Sequence, residues 1–454
     1  MNAPKLEADL GMEVYGSRSP GIGGKIRYLS KDFQVEEILI DGSKASFQPD
    51  ISEVSGWGRY LLCVLIKKNW DTLIAIKKVA ECLGVNPDRI QIAGIKDAKA
   101  LTAQHITISG VAPEKISSIE IKDMMVKPLR FVNEKLCSHL LFGNRFQIII
   151  RALEHDKVTV ERQIEEIRSE LESRGGLPNY FGHQRFGITR PITHLIGYYI
   201  VKRDFENAAS TFLSKTSKFE YPDSREARQY LSETQDFKGG LEYFPERLFY
   251  ERLMLKHLAK YPRDFLGAFH RLPLKLRKLF VQAYQSLLFN KSLSERIKQG
   301  IPLNQPQIGD YVIYLNEIGL LTESYKATTD NLSAIKRKID EKKAGIAIPL
   351  IGFRQPPSEG AQGEIEQAIL KKENISPDSF RIPEMPEVSS PGGLRLILTS
   401  IIDFYSKEAC EDSLNPNKLM IELGFTLRRS SYATVLLREF MKPNSDTEVI
   451  RGGF

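Results

Sequence analysis

Two short segments gather side chains whose types and spacing suit chemistry on a nucleic acid. In AGIKDAKALTAQHITISG, Asp97 directly follows an apolar run and is flanked by Lys96 and Lys99. Neighbouring cations favour the ionised form of a carboxylate, so Asp97 can act as a nucleophile or a base at neutral pH. The same residues also suit a surface turn with an ordinary ion pair. In LPNYFGHQRFGITR, residues 177–190, Tyr180, Phe181 and Phe186 surround Gly182 and Gly187, with Arg185 and Arg190 beside them. Glycine permits close backbone approach, aromatic faces stack on bases, and arginine takes phosphate. Such a loop can receive an unstacked base; its alternative is an apolar plug.

Other chemistries lack their residues. A phosphate-cradling GxxxxGK[ST] loop fails in SPGIGGKI, where Ser19 stands for the first glycine and Ile26 follows Lys25, and no GxGxxG follows a strand. The 7 histidines show no HExxH or comparable metal spacing, and no Gly-x-Ser-x-Gly elbow occurs. Cys63, Cys82, Cys137 and Cys410 lie far apart, which suggests neither a zinc pair nor a disulfide framework and fits a reducing cytoplasm. The longest apolar run, Tyr60 to Ile66, is far short of the roughly 20 residues of a membrane helix.

The elements that must hold these loops form an α+β pattern. Residues 25–39 and 59–66 read as strands, and 71–84 as an amphipathic helix capped by Asp71 or Thr72, with Leu73, Ile76, Val79, Ala80 and Leu83 on one face. Ile90–Ile95 and His105–Ser109 read as strands that clasp the Asp97 loop. A strand at 144–152 and a helix at 158–173 closed by Gly175-Gly176 follow. Past residue 200 the chain becomes helical and charged, with strand-like stretches at 309–315 and 345–352, and the Pro-rich 383–392 marks a boundary. Beyond it, a strand at 419–427 and a helix at 431–442 return to the texture of the first 200 residues. A domain inserted into a discontinuous α+β domain is expected.

The 454 residues carry 64 Lys plus Arg against 57 Asp plus Glu. Residues 251–300 hold 11 of the bases and only 3 of the acids, so this segment carries the whole imbalance. In it Arg271, Lys275, Arg277, Lys278, Lys291, Arg296 and Lys298 alternate with Leu and Phe at helical intervals. A helix with one buried and one basic face is expected, the basic face being either solvated or a contact for RNA phosphates.

GIKDAKALTAQ and NYFGHQRFG together resemble the signature segments of the TruD family of tRNA pseudouridine synthases, in its archaeal-like branch. KDFQVEEI (31–38), KKNWDT (67–72), FGNRFQIIIR (142–151), AYQSLLFN (283–290) and SYATVLLREFMK (431–442) fit in the same order. The resemblance implies a pseudouridine synthase catalytic domain, an α+β fold around a mixed, largely antiparallel sheet, spanning 1–200 and 395–454. It is interrupted by an α/β TRUD insertion domain, 201–394, that binds RNA. It further implies an isomerase that converts uridine to pseudouridine in tRNA, at position thirteen of the D-arm, without cofactor or metal and with no protein partner implied. A non-catalytic RNA-binding or RNA-remodelling protein is the rival. By resemblance the catalytic Asp is Asp97, the stacking aromatic Phe181 and the neighbouring amide Asn179. Lys96, Gln184 and Arg185 join the substrate site. The basic partner of the nucleophile lies in the strand before DFxVEE, where Arg27 stands six residues before Phe33, with Arg replacing the Lys of bacterial members. Arg271, Lys275, Arg277 and Lys278 are expected on the RNA backbone.

Overall fold

A computed structural model describes residues 3–49, 54–316 and 318–454. Its strands are β1 (Phe33–Leu39), β2 (Tyr60–Lys68), β3 (Ile90–Ile92), β4 (Leu101–Ser109), β5 (Met124–Val132), β6 (Leu141–Leu153), β7 (Leu177–Pro178), β8 (Tyr311–Leu315), β9 (Leu321–Lys326), β10 (Ala344–Leu350), β11 (Gly393–Leu396), β12 (Leu398–Thr399), β13 (Ile402–Ser406), β14 (Cys410–Glu411) and β15 (Leu419–Arg428). The large sheet runs β13-β15-β6-β1-β4-β2-β5, with β14 on β15 and β3 on β4. Among its strands in the described residues, β1 and β4 pair in parallel and the other pairs are antiparallel. This is the mixed, largely antiparallel sheet of an α+β fold that the resemblance implies.

Alternation in the strands sorts side chains onto two faces. Leu61, Cys63 and Leu65 of β2 meet Ala75, Ile76, Val79 and Ala80 of the helix Thr72–Leu83. That helix starts where Asp71 accepts hydrogen bonds from the backbone N–H groups of Leu73 and Ile74, and ends at the left-handed Gly84. A second, larger core joins Phe33, Phe146, Ile148 and Leu423 of the sheet to Ile164, Phe289 and Leu437 from three helices.

The strand expected at 25–39 begins only at Phe33. Arg27 adopts a left-handed φ of 58°, and Ser30–Asp32 form a 3-10 turn in which Asp32 accepts from the backbone N–H of Leu29 and pairs with the buried Arg151. Side-chain bonds have replaced ladder bonds there. The run expected to Ile95 likewise stops at Ile92, where Gln104 donates to the Gly94 carbonyl (3.2 Å).

Chain 311–396 builds its own antiparallel sheet, β11-β10-β8-β9. The helix Leu274–Lys298 departs from the expected two-faced design. From Phe280 to Ser294 it buries residues on every side, including Gln285, Ser286, Asn290 and Ser294. Small and amide side chains make this tolerable by bonding to backbone: Gln285 to the Ile351 carbonyl, Asn290 to those of Leu10 and Phe181, Ser294 to that of Gly11.

Candidate active site

Parallel pairing of β1 and β4 sets the starts of both strands side by side, with Gln34 opposite Leu101. The loops that enter them therefore meet. Arg27 Nη2 donates to Asp97 Oδ1 at 2.8 Å, and Gln184 Nε2 donates to the same oxygen at 2.6 Å. Among the described residues Oδ2 has no hydrogen-bond partner. The Asp97 side chain is 25% exposed and that of Arg27 9%, so the carboxylate is reachable while its cation is shielded. Phe33 lies under the guanidinium at 4.1 Å, and Arg27 Nη1 donates to the Gly453 carbonyl. Burial lowers the Arg27 pKa from its ordinary value, against the pull of Asp97.

From below, the buried Lys67 donates to the carbonyls of Trp70 (2.7 Å) and Asp97 (2.9 Å). Burial brings its pKa down to about 8, with Asp97 and Asp71 opposing. Thus the main chain and one carboxylate oxygen of Asp97 are both fixed, and Asp97 borders a cavity of about 250 Å³ with Val35, Phe146, Gln184 and Tyr432. Gln184 reaches Asp97 from the loop 182–187, which is anchored by His183 Nε2 on Glu7 (3.1 Å). A Cβ at Gly182 would press on the Thr434 hydroxyl (3.1 Å) and the Tyr432 ring (3.2 Å), so a larger residue requires those neighbours to shift by a few tenths of an ångström.

The NYFG segment is held differently. β7 pairs with β12, and Arg395 on β11 donates to the Asn179 carbonyl and to Asn179 Oδ1 while its guanidinium covers the Phe181 ring at 4.0 Å. Phe289 and Tyr432 pack edge-on against the same ring, which is 6% exposed. Burial lowers the Arg395 pKa to about 10.

With this geometry in hand, relatives can be placed. A family model described as tRNA pseudouridine synthase D (TruD) matches residues 9–440. This chain belongs to the TruD family. It is 40% identical over 444 residues, 97% of the chain and 98% of the relative, to a Methanosarcina barkeri protein named as a probable tRNA pseudouridine synthase D. A Thermococcus onnurineus protein with the same name is 38% identical, with 94% and 97% covered. The crystal structure described as a TruD protein from Methanosarcina mazei superposes with a TM-score of 0.83 at 37% identity, covering 99% of this chain and 100% of that one. The fold is therefore that of a TruD pseudouridine synthase, and the chain is an isomerase of that family.

Of the residues expected in the TruD site, the structure unites Asp97, Arg27 and Gln184. Asn179, Phe181 and Arg185 line an adjoining, larger cavity. Lys96 borders the Asp97 cavity, and its ammonium pairs with the buried Glu37 (2.5 Å), itself next to His105. Ion pairing with a buried carboxylate outweighs any call on Lys96 from the surface. In the basic segment several cations are paired as well. Arg296 is buried on Asp310, Lys291 pairs with Glu373, Lys298 with Glu13, and Arg277 with Glu387. Arg271 is exposed and donates to His257 Nδ1 (3.2 Å), and Lys275 and Lys278 are exposed without an ion pair among the described residues. None of these borders either cavity. Sequence reasoning assigns no role to Lys67, Arg395 or Tyr432. A signal exists for Arg395, a charge set between Leu394 and Leu396 in a short apolar strand.

Proposed function

We propose that this TruD-family chain converts uridine to pseudouridine in tRNA, at position thirteen of the D-arm, with Asp97 as the group that acts on the sugar. The observation that carries the role of Asp97 is its asymmetry, with Oδ1 saturated by Arg27 and Gln184 and Oδ2 left for substrate. Isomerisation breaks the N1–C1′ bond, turns the uracil, and joins C5 to C1′; the proton leaving C5 is balanced by one gained at N1. Attack on C1′ and removal of the C2′ proton both need one oriented carboxylate oxygen, and the bonds from Arg27 and Gln184 fix the orientation of Asp97. Extruding the uridine costs a few kcal/mol, which contacts in the cleft offset.

The division into a catalytic domain, 1–200 with 395–454, and an inserted RNA-binding domain, 201–394, is part of the same reading. It is supported by β13–β15 joining the sheet of β1–β6 while β8–β11 form a sheet apart. Arg271, Lys275, Arg277 and Lys278 are assigned to the tRNA backbone, the exposed Lys275 and Lys278 most directly. The test is a folded tRNA transcript with uridine or cytidine at position thirteen, mapped by carbodiimide-dependent primer-extension stops. One stop at that uridine and none with cytidine is expected; a stop confined to the anticodon loop or T-arm overturns the target.

A further inference from the structure

Beside the Asp97 cavity lies a larger one of about 640 Å³, walled by Phe142, Ile318, Leu321, Leu396 and Tyr432. Arg429, Ser430, Ser431 and Tyr432 border both, so the two are adjoining rooms. Four arginines line the larger room: Arg185, Arg395, Arg428 and Arg429. Their hydrogen-bond acceptors are neutral. Arg185 donates to the Ser286 hydroxyl, Arg428 to the Gly319 carbonyl, Arg429 to the Ser138 carbonyl, and Arg395 to Asn179 and the Ser430 carbonyl. Among the described residues no carboxylate pairs with any of them, and the Nε of Arg428 is buried with no partner. The carboxylate of Asp340 and the ammonium of Lys342 border the room from exposed positions.

Of these four Arg395 is buried and Arg185, Arg428 and Arg429 are half-buried; the other buried arginines of the described residues each have a carboxylate. Arg151 sits on Asp32 and Asp412, Arg228 on Glu220 and Glu251, Arg296 on Asp310, and Arg438 on Glu7. Desolvating a guanidinium is costly unless an anion compensates; Arg395 is buried against the Phe181 and Phe289 rings and neutral acceptors alone, and four guanidinium groups without a carboxylate partner around a concavity concentrate positive potential where an anion can enter. Apolar and aromatic walls joined to guanidinium groups match a nucleotide: a base for the walls and a phosphate for the fork of an arginine.

We propose that the larger cavity is a second nucleotide site, which takes the RNA residue adjoining the target uridine, its base against Phe142, Leu321 and Tyr432 and its phosphate on Arg428 and Arg429. The enzyme then draws two consecutive nucleotides from the stack, one into each room, and reads local sequence at the second. The inference rests on the reading of Asp97 as the catalytic group.

The test uses full-length tRNA transcripts carrying an abasic residue on the 5′ or the 3′ side of the target, with KM and kcat measured on the wild-type chain and on Arg428→Gln and Leu321→Trp. An abasic residue on one side should raise KM about tenfold, as loss of one stacked base does, and this penalty should shrink to under twofold in both variants. Leu321→Trp adds bulk at an exposed lining position without removing a charge, and carries the test where Arg428→Gln unfolds. Abasic residues without effect on either side, or a penalty of equal size in wild type and Leu321→Trp, overturn the second site. Failure of the underlying reading shows separately, as undiminished turnover by Asp97→Asn on unmodified tRNA.

Discussion

The loops around Asp97 and Gln184 and the helix Leu274–Lys298 both attract notice by their charges, and folding treats them oppositely. In the loops Arg27 and Gln184 converge on one oxygen of Asp97 and leave the other unengaged. In the helix Arg296, Lys291 and Lys298 are each matched by an acid from another part of the chain. A count of charges along a segment measures neither its field nor its availability. What decides is whether each charge has a partner in the folded chain.

The sharpest way to break that comparison is to remove the charge left reachable. Asp97→Asn should lower turnover about 10⁴-fold or more while leaving tRNA affinity within about twofold, since shape persists and only the ionisable oxygen is lost; tritium release from C5-labelled tRNA measures it. A variant that still turns over would return the chain to the RNA-binding reading. The opposite experiment removes a matched charge. Arg296→Ala should cost about 3 to 5 kcal/mol of folding stability by leaving Asp310 buried and alone, read by urea titration, with the salt dependence of RNA binding unchanged.

Gln184→Leu tests the asymmetry of the carboxylate. Loss of a hydrogen bond to a charged group, about 1.5 to 3 kcal/mol, should lower kcat about tenfold to a hundredfold with little change in KM, because Gln184 contacts Asp97 and acts by positioning. A rise in KM at constant kcat would place Gln184 on the RNA instead. The smallest effect belongs to Lys275→Gln with Lys278→Gln. For each phosphate the pair no longer neutralises, the log–log salt slope of tRNA binding should flatten by up to about 0.7 to 0.9. Arg277→Ala should flatten the slope less than either lysine change, because Arg277 is already paired with Glu387.

The features legible in the sequence are those that the local chain decides. Asp71 caps the helix Thr72–Leu83 as its position predicts, and the alternation in β2 sorts Leu61, Cys63 and Leu65 onto one face. Asp97, Arg27 and Gln184 are legible as candidates, and the parallel pairing of β1 and β4 supplies the reason that they meet. What escapes depends on partners far along the chain. Lys96 reads like an active-site cation until Glu37, 59 positions away, claims its ammonium. Phe181 reads as an open stacking surface, whereas Arg395 and Phe289, remote in sequence, cover its ring. The polar residues within the helix Leu274–Lys298 suggest solvent, yet they bond to backbone from Leu10, Phe181 and Ile351.

The bond from Arg27 to the Gly453 carbonyl spans 426 positions, and the backbone N–H of Ile26 bonds to the carbonyl of Gly452 beside it (2.8 Å). The residue that orients the candidate nucleophile is therefore clasped by amino acids that the ribosome adds long after it. Loop closure of this length is slow relative to local structure, so a nascent chain carries Asp97 for most of its synthesis with its orienting arginine untethered. A chain cut just before Gly452 lacks that tether and the buried ring of Phe454 with it.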